Sequence, residues 1–231
     1  MVTVARWKQA QATEPSFWAG MALYLPGLLK VLADNADKAQ RIASQLAKLP
    51  QSCLEIGIGP FGIGIIGFLP GIEFRVGLDP ADPVPLNGNA ALHDYIKKWR
   101  EGVSYIIATG EEVPLPSDSM DMVICCNVID HAQHSAKILA EIRRVLRSRG
   151  LLYLDVDTFS VLGLIKWHTW TKYRFRNLDM VKAHTSRMFE PVVGSQLRAA
   201  GFEELHRDGH GVASLLMGHS RVSAFLAKKA K

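Results

Sequence analysis

Cysteine is scarce in this chain, which has only three in 231 residues: Cys53, Cys125 and Cys126. All three lie in apolar, strand-like runs, and neighbouring strand residues such as Cys125 and Cys126 point to opposite faces. Buried free thiols therefore fit better than a disulfide or a metal clip, and free thiols are typical of a reducing compartment. Because no secretory pattern follows the N-terminus, the sequence predicts a cytoplasmic protein, and it predicts no metal site.

Long apolar runs are also lacking. The longest, from Phe17 to Leu32, is interrupted by Pro26 and Gly27 and carries Lys30, so no transmembrane segment is expected. The net charge of +5 is small, and the basic clusters lack the aromatic residues of RNA-binding motifs, which argues against nucleic acid as a partner. Weak contact with a membrane surface stays open, as do a monomer and a homodimer.

What the chain does contain is a glycine-rich turn after an apolar strand, within residues 53–62. Gly57, Gly59 and Gly62 have the G-x-G-x-x-G spacing found where a backbone passes close to a nucleotide. Glycine permits positive φ angles in such a turn, and its missing Cβ leaves room for a ligand. The sequence therefore indicates a nucleotide-type cofactor site here, followed by the start of a helix.

Two carboxylates accompany the glycines. Glu55 lies two residues before the first of them, at the end of the strand. Asp79 ends the next strand-like run, about 20 residues beyond the glycine turn, where an acid that binds a ribose is expected. Asp79 has an alternative role as the cap of the turn that it forms with Pro80.

Apolar strands and amphipathic helices alternate through the middle of the chain. Strands are predicted at 51–57, 73–79, 103–108, 120–127 and 151–156. Helices are predicted at 86–100 and 134–148, the second ending at Gly150. This alternation predicts a parallel sheet with right-handed crossovers, and runs at 202–208 and 221–228 are suited to two final strands.

Residues 1–50 are predicted to be helical. Pro26 is expected to break or kink the first apolar helix, and a second helix is predicted at 34–49. These helices could cover a bound ligand or pack against the sheet, and packing is the simpler role for most of their residues.

Within residues 50–156 the motifs resemble those of the class I S-adenosylmethionine-dependent methyltransferases. The resemblance is carried, in the family's order, by residues 54–62, 77–80, 109–116, 121–131 and 141–152. It implies an α/β, Rossmann-like sheet of seven mostly parallel strands, with helices on both faces and the last strand antiparallel.

The resemblance also implies how the chain is divided. It predicts a single methyltransferase domain over residues 1–231, with N-terminal helices or a lid at 1–50 and a cofactor-binding core at 51–156. An acceptor-binding insertion is expected at 157–190, and the final helix and strands at 191–231.

The cofactor implied by the resemblance is S-adenosylmethionine. The residues expected to bind it are Glu55, Gly57, Gly59, Gly62, Asp79, Pro80, Gly110, Glu111 and Asn127. Glu55 would face the cationic methionine end. Because Thr109 replaces the acid usual in the adenine loop, adenine would depend on backbone groups and Glu111. His134 replaces a capping aspartate, so the helix that follows is expected to begin poorly satisfied.

His131 is the candidate general base, with Asp130 as its orienting partner. His131 could instead only orient its loop, and Asp130 could be a simple cap. Candidate acceptor-binding residues are Trp167, His168, Tyr173, Arg174, His184 and Arg187. Aromatic rings with arginines suit a sugar or a base and a phosphate, although a solvated basic loop fits equally well.

The sequence therefore predicts methyl transfer to a small or carrier-linked acceptor, at oxygen, with a role in bacterial glycan or cell-surface biosynthesis as a narrower hypothesis. One alternative is a cofactor-binding regulator that has kept the fold and lost turnover. Another is an NAD-dependent oxidoreductase, whose glycine spacing is the same. Glu55 disfavours the latter, since that fold usually has an apolar residue there and a bare buried charge is costly.

Overall fold

The computed structural model of the protein describes residues 3–12, 18, 20, 24–83, 96–166, 188–209 and 220–230. Its strands are β1 Ser52–Ile56, β2 Phe74–Asp79, β3 Val103–Ile107, β4 Met120–Cys126, β5 Leu146–Phe159, β6 Met188–Phe189, β7 Phe202–Asp208 and β8 Ser220–Lys229. Its helices are α1 Val4–Gln11, α2 Leu25–Gln45, α3 Ser135–Val145, α4 Val161–Lys166 and α5 Glu190–Ala199, with a 3₁₀ turn at Ile65–Gly67.

The strands form one sheet in the order β3-β2-β1-β4-β5-β8-β7. β1 to β5 are parallel along this path, and only β8 runs antiparallel to its neighbours β5 and β7. The predicted fold class is thereby confirmed. The two-residue strand β6 is added beside the end of β5, where Met188 pairs with Thr158, and it makes one strand more than the seven expected.

The central strands are apolar throughout because both faces of the sheet are covered. All five residues of β1 are buried. On one face Leu54 and Val123 pack in the same cluster as Ile142 of α3. On the other face Cys53 belongs to a cluster with Ile42 of α2. Two helices on opposite sides thus fix the sheet whose carboxyl edge carries the site.

The N-terminal helices differ in part from the prediction. Trp18 and Gly20 are helical and Tyr24 is not, which agrees with the break predicted at Pro26. The second helix, predicted at 34–49, instead begins at Leu25 and ends at Gln45, with Pro26 in its first turn. Proline is well suited to that position, because the first-turn N–H groups have no partner within a helix and its fixed φ is already helical. The single amphipathic helix buries Leu28, Leu32, Ala39 and Ile42.

The junction of α3 and β5 also differs from the prediction. α3 ends at Val145 rather than 148, and β5 begins at once, so Gly150 lies within the strand. Arg147, expected in the helix, donates from Nη1 to Asp121 Oδ1 at 2.6 Å. Arg149 adopts a φ of 64°, and the register with β4 shifts between Met120 and Met122. Residues 146–148, which were predicted to be the last turn of the helix, therefore belong to an irregular start of β5.

Two other predictions concern the helix at 86–100 and the lack of a transmembrane segment. The helix expected at 86–100 overlaps the described residues only at 96–100, which are helical. Within the described part of the chain, no helix has the length and apolar character needed to cross a bilayer.

Candidate cofactor-binding site

A cavity of about 630 Å³ lies at the carboxyl ends of β1, β2 and β4. Its volume is in the range of small-molecule sites, roughly 300–1,000 Å³. The sequence-predicted residues that line it are Glu55, Gly57, Gly59, Asp79, Pro80, Gly110, Glu111, Asn127 and His131. The fold thus brings to one place all but one of the predicted cofactor residues, together with the candidate base.

The first two glycines of the turn have the conformation that the spacing predicts. Gly57 and Gly59 both adopt a φ of 77°, and Gly57 N donates to Leu78 O at 2.7 Å. A Cβ on Gly57 would lie 2.3 Å from Val128 Cγ2, closer than atoms can pack. The turn can therefore pass this close to Val128 only because Gly57 carries no side chain.

Gly62 does not line the cavity. It also has a positive φ, 63°, but its Cβ position faces Arg100 Nε at 3.3 Å, away from the site. The third glycine of the cavity wall is Gly64, which the sequence analysis missed. It precedes the 3₁₀ turn Ile65–Gly67, which replaces the helix expected after Gly62. In the sequence, the only sign of Gly64 was that a further glycine follows Gly62 after one residue.

Glu55 shapes the turn and faces the cavity at the same time. Its two carboxylate oxygens accept from Ile65 N at 3.1 Å and Ile66 N at 2.8 Å. Burial raises the pKa of Glu55 to about 7, against the effect of these hydrogen bonds and of Lys38, which lower it. Near neutral pH its charge is therefore sensitive to any cation that enters the cavity.

Asp79 joins β2 to the glycine turn. Its Oδ2 accepts from Gly59 N and its Oδ1 accepts from Ala81 N, both at 2.9 Å. The second contact is the turn cap considered in the sequence analysis. A carboxylate oxygen can accept more than one hydrogen bond, so this capping does not exclude a ribose contact, which stays a prediction.

Glu111 does more than border the expected adenine position. Its Oε1 accepts from Gln133 N at 3.2 Å and from His134 N at 3.4 Å. His134, at the N-cap of α3, makes no side-chain capping bond, as expected. These two N–H groups lie just before the helix, so Glu111 holds the segment that leads into α3. Its predicted contact with adenine would use the same carboxylate.

His131 and Asn127 lie beyond the end of β4. The His131 side chain is 17% exposed and lines the cavity, with Nε2 3.8 Å from Oδ2 of the buried Asp130. Asn127 has a φ of 54°, and its backbone N donates to Asp155 O at 2.9 Å. This arrangement allows Asp130 to orient the imidazole toward the cavity, while the role of general base stays a prediction.

Helix α2 forms a wall of the cavity, whereas the sequence analysis had considered both covering a ligand and packing against the sheet for the N-terminal helices. Leu28, Val31, Asp34, Asn35 and Lys38 all line it, and their spacing of three and four residues places them on one helical face. Asn35 Nδ2 donates to Ile63 O at 3.0 Å, and Lys38 Nζ lies 2.7 Å from Asp155 Oδ2. The helix is thus attached to both the glycine turn and the end of β5.

The six candidate acceptor residues between positions 167 and 187 lie outside the described residues. Among the residues that are described, no group of three or more His, Cys, Asp or Glu is placed to hold a metal ion.

Known proteins resemble the chain in sequence. A family model for a methyltransferase domain matches residues 70–154. The chain is 27% identical over 131 residues to the uncharacterized methyltransferase YcgJ of Bacillus subtilis, and 30% identical over 143 residues to the thiol S-methyltransferase TMT1B of Homo sapiens. These matches cover 57% and 56% of this chain but 50% and 56% of the relatives, so the chain spans about half the length of the curated relatives it matches.

Solved structures share its fold. The crystal structure of YcgJ from Bacillus subtilis has a TM-score of 0.64 at 15% identity, over 86% of this chain and 99% of that one. The 1,6-didemethyltoxoflavin-N1-methyltransferase of Burkholderia thailandensis, with 1,6-didemethyltoxoflavin and S-adenosylhomocysteine bound, has a TM-score of 0.61 at 16% identity, over 96% and 89%. The architecture around the cavity is therefore one that such proteins have in common.

Proposed function

We propose that the chain is a class I S-adenosylmethionine-dependent methyltransferase and that it transfers a methyl group from that cofactor to a small acceptor bearing a hydroxyl or a thiol. The observation that carries the proposal is the single cavity that combines the glycine turn, Asp79 and His131. When bound there, S-adenosylmethionine supplies an electrophilic methyl group on a sulfonium.

The residues at hand fit that cofactor. The turn at Gly57 and Gly59 would pass along its ribose and methionine, Asp79 would accept from the ribose hydroxyls, and the adenine would lie near Gly110 and Glu111. Glu55, buried beside the turn, would favour the cationic end of the methionine. Holding the two reactants in line at close range is the main contribution such a site makes to the rate.

His131 would receive the proton of the acceptor. The cofactor would supply the methyl carbon and take back the electron pair of its carbon–sulfur bond, while the cavity would hold the acceptor oxygen or sulfur in line with that carbon. The proton passes to a ring nitrogen of His131, which Asp130 would hold in place and favour as the imidazolium. No redox step or further co-reactant is needed.

The cavity also has an apolar part that suggests the character of the acceptor. The side chains there are Trp7, Trp18, Leu28, Val31, Phe61 and Ile63. The Trp18 and Phe61 rings meet edge to face with centroids 5.6 Å apart. An acceptor with an apolar or aromatic body would bury against these walls. The glycan-type acceptor rests on residues 167–187 and stays a narrower hypothesis.

Sulfur is the second candidate for the atom methylated, because one relative is a thiol S-methyltransferase. A thiol, with a pKa near 8.5, also gives up its proton to an imidazole more readily than an alcohol does. The buried thiols Cys53 and Cys125 fit the cytoplasmic location that we propose.

The test is transfer of label from methyl-labelled S-adenosylmethionine to matched apolar acceptors that differ only in carrying a hydroxyl, a thiol or an amine. We expect label on the hydroxyl or the thiol compound, and far less with a His131→Gln variant. Cofactor binding without transfer to any acceptor in a broad panel would instead support the regulator that binds the cofactor and has no turnover.

A further inference from the structure

Lys38 has an unusual place in the cavity wall. It is the only lysine or arginine among the described residues that line the cavity, whereas four carboxylates do so: Asp34, Glu55, Asp79 and Glu111. Its Nζ lies 2.7 Å from Asp155 Oδ2, and the Asp155 side chain is only 2% exposed. A lysine held at this position by a buried carboxylate is fixed in direction, unlike an ordinary surface lysine.

The Lys38 ammonium keeps its charge in this setting. Burial alone would lower the pKa of Lys38, but the neighbouring Cys126, Asp155 and Glu55 raise it above its ordinary value. An ammonium has three donors, so the contact with Asp155 leaves others that can be directed into the cavity. The wall therefore offers one fixed cationic donor group to a ligand.

The ligand of the proposed function has a matching group. S-adenosylmethionine is cationic at its sulfonium and its α-ammonium, and its α-carboxylate is its only anion. An anion entering a cavity with four carboxylates is repelled unless a cation meets it, and charge-assisted hydrogen bonds of this kind are the strong ones. Among the described lining residues only Lys38 is a lysine or arginine that could do so.

We propose that Lys38 binds the α-carboxylate of the cofactor, with Asp155 as the positioning residue that aims its ammonium. This inference rests on the proposed function and assigns α2 a direct part in it. Helix α2 is attached to the glycine turn through Asn35 and Ile63, so the carboxylate contact joins the helix, the turn and the end of β5 around one ligand.

The experiment compares two ligands by titration calorimetry: S-adenosylhomocysteine and its decarboxylated analogue, S-adenosyl-3-thiopropylamine, which keeps the amine. Lys38→Met should weaken binding of S-adenosylhomocysteine about ten- to a hundredfold. It should leave binding of the analogue unchanged or tighter, because the amine no longer faces an ammonium. Lys38→Arg should retain most of the preference for S-adenosylhomocysteine, which keeps the test usable if the methionine variant does not fold.

The matched control is Arg41→Met on the same helix. Arg41 is exposed and does not line the cavity, so both affinities should be unchanged. Equal weakening of both ligands by Lys38→Met would overturn the inference in favour of a role in holding α2 in place. Unchanged affinities would overturn it outright, and a wild-type protein that binds neither ligand would overturn the proposed function itself and this inference with it.

Discussion

Glu55 lies near the end of a fully buried strand. Its carboxylate accepts hydrogen bonds from Ile65 N and Ile66 N, in the 3₁₀ turn that follows the glycine turn. In the folded protein burial raises the pKa of Glu55 to about 7 from its ordinary value of about 4.5. Between these two pH values the folded protein holds a proton that the unfolded chain has lost. Stability contributed by protonated Glu55 is therefore lost as the pH rises from about 4.5 to about 7.

Glu55→Gln removes this titration. The free energy of unfolding of the wild type, measured by urea denaturation at several pH values without ligand, should fall relative to the variant by up to about 3 kcal/mol between pH 4.5 and 8. Other titrating groups affect both proteins and cancel in the difference. Parallel pH profiles for the two proteins would show that Glu55 is charged in the fold throughout.

His131 is the residue on which the chemistry of the proposal depends most. Its ring lines the cavity and has the buried Asp130 carboxylate 3.8 Å away. His131→Gln should lower turnover by about 10²–10⁴ once an acceptor is known, because a base contributes that much, with S-adenosylhomocysteine affinity nearly unchanged.

Asp130→Asn provides the accompanying measurement. It should lower turnover by less than His131→Gln does, because the imidazole remains but loses the carboxylate that orients it. A His131→Gln enzyme with full turnover would return His131 to the loop-orienting role considered from the sequence.

At the scale of elements, the glycine turn and the 3₁₀ turn act as one unit around Glu55. Gly64 has an ordinary φ of −100°, yet a Cβ placed on it would lie 2.2 Å from Glu55 Oε2. Gly64→Ala should therefore lower the free energy of unfolding by about 1–3 kcal/mol through overpacking, not through backbone strain.

A double-mutant cycle separates these causes. In a Glu55→Ala background the carboxylate is gone, so the cost of Gly64→Ala should largely vanish in urea denaturation. An equal cost in both backgrounds would contradict the contact with Glu55 and assign the penalty to the backbone of the turn.

The same elements show what the sequence could and could not reveal. β1, β2 and β4 are continuous apolar runs that end in glycine or polar residues, and parallel strands bring such ends to one edge, so the cavity was predictable. Pro26 fits a helix break and a first turn equally well, so local pattern could not decide the start of α2. The role that we propose for Lys38 depends on its contact with Asp155. Because Asp155 lies more than a hundred residues away in the sequence, no local pattern could have indicated that role.

At the scale of the whole molecule, the sheet and α2 enclose a cavity with two characters. One part carries carboxylates, Lys38 and the glycine turn, and the other is walled by Trp7, Trp18 and aliphatic side chains. A zwitterionic, sulfonium-bearing cofactor suits the first part and an apolar acceptor suits the second. The carboxyl ends of the parallel strands hold the two parts side by side, as methyl transfer requires.

The charge of the cavity also favours the proposed methyltransferase over an NAD-dependent oxidoreductase, whose glycine spacing is the same. NAD would bring a pyrophosphate with two negative charges toward Glu55, Asp34 and Asp79, with Lys38 as the single lysine or arginine on the described wall. S-adenosylhomocysteine carries no net charge, because its ammonium and carboxylate balance. Desolvated like charges at close range repel strongly, so the described wall favours the thioether.

The most direct measurement is a pair of calorimetric titrations of the wild-type protein, one with S-adenosylhomocysteine and one with NAD, at the same pH and ionic strength. The account predicts saturable one-site binding of S-adenosylhomocysteine, at least about tenfold tighter than any binding of NAD. Tight binding of NAD with no detectable binding of S-adenosylhomocysteine would contradict it.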